Sequence, residues 1–280
     1  MVSTLASGQT RPYVRGKDIL MMNSVVDIAG INRISRLILS QAARALAGMV
    51  TGTQTDPAAD SNDRPLVAAS MFGVTTPCVM KAKAILEEAG YEVVVFHATG
   101  NGGEAMEGLI QDGMFAGVLD ITTTELADEL VGGILSAGPT RLTAASSRGI
   151  PQVVSVGAMD MVNFGPRETV PEKFQHRQFY QHNPTVTLMR TTPEENRVLG
   201  NQVAERVSSA PKTSAILFPR LGVSAIDQEG QAFDDPISRE SLLAGIQERT
   251  GKAPLMILEA HINDDLSAET AARVLLDLMQ

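Results

Sequence analysis

From residue 66 onward the chain repeats one unit: a short apolar run, a polar loop carrying Gly or Thr, and then a helical stretch. The runs at 66–69, 93–96, 117–119 and 152–156 recur at about the 25–30 residues of a strand–helix–strand unit. Each run is apolar throughout rather than alternating, so each strand is expected to be buried on both faces. That pattern predicts a parallel sheet with helices above and below it. Helices are expected at 79–89, closed by Gly90, at 104–111 before Gly113, and at 125–135. The rhythm pauses over 159–183, a stretch rich in Pro, Gly, Phe, Gln and His. It resumes with a strand at 185–189, a helix opened by Thr192-Pro193-Glu194-Glu195, strands at 215–218 and 255–258, and a closing helix at 267–278 with Ser267 as its cap.

The front of the chain is thinner. Residues 2–5 read as the end of a strand, 21–26 as a second strand and 31–49 as a long helix, with a polar linker at 52–64. Such a segment is a poor domain by itself, so the expected division is 1–62 and 63–280.

Charge and composition narrow the function classes. A net charge of −9 removes the basic footprint that nucleic-acid binding needs. With no Trp and 4% aromatics, base-stacking recognition is not expected. No apolar run approaches the ~20 residues that span a bilayer, and residues 1–8 have no signal-peptide pattern. Cys78 stands alone, which excludes an intramolecular disulfide and fits a reducing, cytoplasmic setting.

The loops after the strands carry the chemistry. In a parallel sheet the stretches at 73–78, 97–103, 120–125 and 157–165 share one edge, where helix N-termini offer free N–H groups and Gly admits a ligand to the backbone. Gly73, Thr75, Thr76, Thr99, Gly100, Asn101, Gly102, Gly103, Thr122, Thr123, Gly157 and Asp160 are the binding candidates, with Arg220 as an anion clamp. No single loop is diagnostic, since neither a dinucleotide fingerprint nor a Walker-type loop is present. Cys78 opens a helix whose dipole could favour a thiolate, with His97 as partner; the alternative is a small buried residue beside a loop histidine. Asp120 and Asp160 at strand ends could be acids or metal ligands, or simply cap their loops, and Glu259 with His261, or His261 with Asp264, could form an acid/base pair. His176 and His182 have no metal-ligand spacing, and no metal site is expected from the protein's own residues.

Several longer motifs occur together: residues 17–36, Met71-Phe72-Gly73-Val74-Thr75-Thr76-Pro77-Cys78, Phe96-His97-Ala98-Thr99-Gly100-Asn101-Gly102-Gly103, Asp120-Ile121-Thr122-Thr123-Thr124-Glu125, 156–165 and Pro219-Arg220-Leu221-Gly222. In this order they resemble the tobamovirus-resistance-protein-like (Tm-one-like) ATP-binding family across nearly the whole chain. The resemblance implies two Rossmann-like subdomains, ATP as ligand with magnesium as its companion, and a homodimer. Family members also carry a further N-terminal stretch with a Gly-rich strand-to-helix loop. The first subdomain is therefore expected here only as its C-terminal part; a start site placed too late and a shortened gene both fit. The leading expectation is a nucleotide-binding module with a regulatory or interaction role. An enzyme acting on a small phosphorylated or carboxylated metabolite in the same crevice is the alternative. A structural subunit completed by a separately encoded front half is a third.

Overall fold

Strands that are apolar along their whole length must be covered on both faces, and the larger of the chain's two units meets that demand with a doubly wound sheet. The computed structural model describes residues 1–8, 10–27, 30–51 and 63–280. Its contacts divide the chain into Met1–Arg64 and Pro65–Gln280. The linker expected at 52–64 lies outside the described residues except for Asp63 and Arg64, as do Ile28 and Ala29 of the motif at 17–36.

In the smaller unit β1 (Val2–Ser3) and β2 (Met22–Asn23) pair in parallel, with α1 (Arg11–Val14) between them and α2 (Arg33–Thr51) after them. Asn32 opens α2 by accepting the N–H groups of Ile34 and Ser35 at 2.9 Å. Both strands are shorter than expected. Ser3 accepts the Leu5 N–H with its side chain and turns the chain into a 3-10 segment, Thr4–Ser7. Of α2, only Ser35 and Ile38 are buried among the described residues.

In the larger unit β3 (Leu66–Met71) leads to α3 (Thr76–Glu88), β4 (Glu92–His97) to α4 (Asn101–Gln111), and β5 (Gly117–Thr122) to α5 (Glu125–Val131) and α6 (Ala144–Arg148). After β6 (Gln152–Gly157) come β7 (Met161–Phe164), β8 (Phe179–Asn183) and β9 (Val186–Arg190). The chain continues through α7 (Pro193–Ser208), β10 (Ser214–Pro219), α8 (Pro236–Arg249), β11 (Leu255–Leu258) and α9 (Asp265–Leu278). The parallel sheet runs in the order β11-β10-β6-β5-β3-β4.

Alternate residues of each strand feed the two layers. Val67 and Ala69 pack with Val79 and Leu86 of α3 and Ala271 and Leu275 of α9, while Ala68 packs with Met106 and Ile110 of α4. On β10, Ile216 and Phe218 meet Leu199 and Val203 of α7 and Leu242 of α8, whereas Leu217 joins the α3–α9 layer. The helices after β3 and β5 therefore leave to opposite faces, and so do those after β10 and β11. The strand order reverses once along the carboxyl edge, at β3–β5, and such a switch point is where open α/β sheets bind ligands.

Several boundaries correct the sequence reading. The strand expected at 185–189 is β9, but it pairs antiparallel with β7 and β8 in a separate sheet. β8 and β9 are joined by a tight turn in which Asn183 Oδ1 accepts the Thr185 N–H, and so short a link can only return the chain antiparallel. α5 stops at Val131 because Gly132 takes φ 98° and donates its N–H to Asp128. α9 begins at Asp265, so Ser267 lies inside it and donates to the His261 carbonyl instead of capping. α8 was not anticipated, since its buried face includes Ser238 and Arg239, which interrupt the apolar spacing. The expected opening of α7 is present: Thr192 and Glu195 form a reciprocal capping box with Pro193 in the first turn. Among the described residues no helix is long and apolar enough to cross a membrane.

Candidate functional site

At the β3–β5 switch point the polar side chains bind one another. Ser70 donates its hydroxyl to Asp120 at 2.6 Å and accepts the Thr122 N–H at 2.9 Å, and the Thr75 and Thr122 hydroxyls meet at 2.7 Å. Arg141, fully buried, lies among three carboxylates. It grips Asp120 with two nitrogens at 2.5 and 2.7 Å, Glu125 Oε2 at 2.6 Å and Glu107 at 3.2 Å. Burial works against its charge, but these carboxylates hold its pKa well above the ordinary value. Burial pushes the Glu125 carboxyl up, opposed by Arg141. The residue after Arg141, Leu142, sits in left-handed backbone at φ 69°.

The other oxygen of Glu125 decides the fate of the 99–103 loop. Glu125 Oε1 accepts the N–H groups of Gly100 at 2.7 Å and Gly103 at 3.1 Å. Amides at a helix N-terminus are where a bound anion would sit, and here the chain supplies the anion itself. Packing also explains the glycines. A Cβ on Gly102 would run into the His97 carbonyl oxygen, and one on Gly103 into the Glu125 carboxylate. One on Gly157 would meet the Ile121 carbonyl oxygen. Thr76, Thr99 and Thr123 donate to the backbone carbonyls of Phe72, His97 and Ser155. Gly73 and Asn101 are exposed, and Gly73 has open space around it.

Cys78 is 1% exposed, and burial pushes its thiol up to about 12; it is the small buried residue of the second reading, and the thiolate that its helix position could favour does not form. Its N–H points at Asn263 Oδ1, 3.4 Å away. His97 is exposed, its ring edge-on to Phe72 at 5.5 Å.

The carboxyl ends of β10 and β11 are open. A cleft of about 530 Å³ lies beyond these strand ends, lined by Arg220, Arg239, Glu240, Glu259 and His261 among others. Arg220 is exposed and donates to Glu240 at 2.8 Å and to Glu259 at 3.1 Å. The His261 ring is engaged by Ser224 and Asn263 rather than by Glu259 or Asp264. Nδ1 accepts the Asn263 N–H at 3.1 Å, which leaves Nε2 to donate to the Ser224 carbonyl at 2.8 Å. Asp264 instead accepts the His261 backbone N–H at 2.8 Å. Asn263 donates to the Val74 carbonyl at 3.0 Å and so ties this loop to the one after β3.

Behind the cleft is a second buried polar cluster. Asp227 accepts from Arg239 at 2.8 Å, from the Val223 N–H at 3.1 Å and from Arg190 at 3.2 Å. Asp160 accepts the Ser224 hydroxyl at 2.8 Å. Ala158, two residues before Asp160, has φ 57°. Among the described residues no three His, Cys, Asp or Glu side chains converge as metal ligands, and His176 and His182 are exposed. Sequence reasoning named Asp120, Asp160, Arg220, Glu259 and His261 but passed over Arg141, Arg190, Asp227 and Arg239. These four sit in ordinary loop, strand and helix contexts and acquire their partners only through the fold.

Two family models cover the chain. Residues 64–279 match the C-terminal domain of an uncharacterised protein family, UPF0261, and residues 1–55 match its N-terminal domain. A UPF0261 protein of Clostridium tetani (strain Massachusetts / E88) is 55% identical over 282 residues, spanning 100% of this chain and 69% of that one. The ToMV resistance protein Tm-1 of Solanum lycopersicum is 46% identical over 269 residues, 94% of this chain. The ToMV susceptible protein tm-1 of the same plant is 45% identical over the same length. This chain spans 36% of either tomato protein. With both domain models matched in order and a relative sharing more than half its residues, the chain belongs to the UPF0261 family, which includes the tomato Tm-1 proteins.

Proposed function

We propose that this chain is a nucleotide-binding module, and that ATP occupies the cleft beyond β10 and β11. The observation that carries the reading is the open cleft at the β10 and β11 strand ends: about 530 Å³ of space with the exposed Arg220 guanidinium on its wall. That volume lies in the range of small-molecule sites, roughly 300–1,000 Å³. Arg220 offers a planar set of N–H donors suited to phosphate oxygens. It is now shared between Glu240 and Glu259, exposed pairs of the weak kind that a better ligand can displace.

The cleft wall is rich in carboxylates, which favours an anion arriving with its own cation. Magnesium fits as that companion, because it is commonly held by one or two carboxylates together with substrate phosphates. Glu240 and Glu259 would hold it. When bound it would neutralise phosphate charge against the acidic wall.

Binding without turnover is favoured over catalysis. Both His261 ring nitrogens are engaged and the Cys78 thiol is buried and protonated, so neither is free to act as a base or nucleophile. That proteins named for virus resistance and virus susceptibility share the module equally supports an interaction or regulatory role for the fold. Calorimetric titration with ATP, with and without magnesium, tests the proposal. ATP should bind more tightly with magnesium present, and Arg220→Ala should weaken it about tenfold or more, the worth of a charge-assisted contact. Absence of heat under both conditions, or an Arg220→Ala variant that binds like the parent, would remove the proposal.

A further inference from the structure

The cluster behind the cleft contains one carboxyl that no arginine serves with a side-chain contact. Asp160 is 0% exposed; its Oδ2 accepts the Ser224 hydroxyl and its Oδ1 has no hydrogen-bond partner. Arg190 is beside it, yet gives Nη1 to the Asp160 backbone carbonyl at 3.2 Å and Nη2 to Asp227 at 3.2 Å. Arg239 gives Nη1 to Asp227 at 2.8 Å and Nη2 to Asp234 at 3.0 Å. Two guanidinium groups thus converge on Asp227. A fully buried carboxylate that no cation contacts directly is less stable than the neutral acid, so the folded chain holds Asp160 protonated above the ordinary carboxyl range. Burial first, and the neighbouring Asp227 next, raise it to about 7, against the pull of Arg190.

Ser224 connects that proton to the cleft. Its hydroxyl donates to Asp160 while accepting the N–H groups of Ile226 and Asp227, both at 3.2 Å. Its carbonyl accepts His261 Nε2 at 2.8 Å, and His261 lines the cleft. We infer that Asp160 is a proton switch for the cleft wall, with Ser224 as the residue that transmits its state to the loop after β10 and to His261. The charged groups acting on it are Asp227 from that loop and Arg190 from β9; Arg239 from α8 reaches it only through Asp227, and His261 from the loop after β11 only through Ser224. When the proton leaves to solvent, a second negative charge stands beside Asp227 and competes with it for Arg190, which leaves more of Asp227 to Arg239. Arg239 is itself part of the cleft wall. Resting on the nucleotide reading, the switch makes the cleft a better anion site below about pH 7 than above it.

The test needs no ligand, so it can fail or succeed independently of ATP binding. The carboxyl carbon of Asp160 is followed by NMR from about pH 5 to about pH 9, together with hydrogen exchange of the Ile226 and Asp227 amides corrected for intrinsic rates. The carbon should titrate near 7, and amide protection should change about tenfold with the same midpoint. Asp160→Asn should abolish the change in protection. Ser224→Ala, a second variant that keeps the carboxyl, should leave the carbon titrating while the loop no longer follows it. A carbon that titrates below about pH 5 would overturn the inference. So would loop protection that keeps its pH course in either variant.

Discussion

The carboxyl ends of β3 and β5 and those of β10 and β11 are opposite in chemistry. At β3–β5 the crevice is filled from within: Arg141 binds Asp120 and Glu125, and Glu125 reaches on to the amides of Gly100 and Gly103. At β10–β11 the charges stand at the rim of an open cleft, where Arg220 is held only by exposed carboxylates. Helices leave to opposite faces of the sheet in both places, and side chains decide whether the space between them stays open. A Gly-rich loop on a helix N-terminus is therefore not yet an anion site; the neighbouring element must leave its amides free.

Mutations can break or sharpen this contrast. The largest effect is expected at the closed end. Arg141→Met leaves Asp120 and Glu125 buried without their cation and should cost about 3–5 kcal/mol of stability in a urea titration. A loss below about 1 kcal/mol would mean that packing, not charge, closes the crevice. Next comes Gly102→Ala, which forces α4 away from the His97 carbonyl and should cost about 1–3 kcal/mol. Its counterpart Gly73→Ala enters open space and should stay within about 0.5 kcal/mol of the parent by thermal melting.

A smaller, pH-dependent effect belongs to Asp128 on α5. Burial pushes this carboxyl up to about 7, although Asn163 donates to it through its backbone and side chain at 2.9 and 2.7 Å. The folded chain keeps the Asp128 proton to about pH 7, while the unfolded chain releases it near the ordinary aspartate value of about 3.9. This group's contribution to stability therefore falls as pH rises from about 4 to about 7, and is level above that. Asp128→Asn should remove this part of the slope in urea midpoints measured across that window; an unchanged slope would show that Asp128 ionises normally. The smallest effect on stability is expected from Arg220→Ala, which should leave the urea midpoint in place while ATP binding weakens. A clear fall in the midpoint would class Arg220 with the structural charges of the closed end.

Much of the fold was legible because each strand announces itself as a continuous apolar run and each helix start as a cap. Thr192 with Glu195 and the run at 66–69 needed no tertiary information. Partner strands and partner charges were not legible. β9 reads like the parallel strands yet joins another sheet, because a tight turn after β8 sets its direction. Asp120 reads as a strand-end acid yet is wholly engaged by Ser70 and Arg141, residues 50 and 21 positions away in sequence.

The sequence alone determined the α/β class, the family and the edge of the sheet where chemistry could lie, since apolar periodicity, capping residues and long motifs are properties of neighbouring residues. Only the tertiary structure decided that the ends of β3 and β5 are filled while those of β10 and β11 are open. Desolvation, ion pairing and the space around a glycine are set by residues far apart in the chain, and whether Glu125 or a ligand meets the amides of Gly100 and Gly103 depends on how β5 and α4 pack.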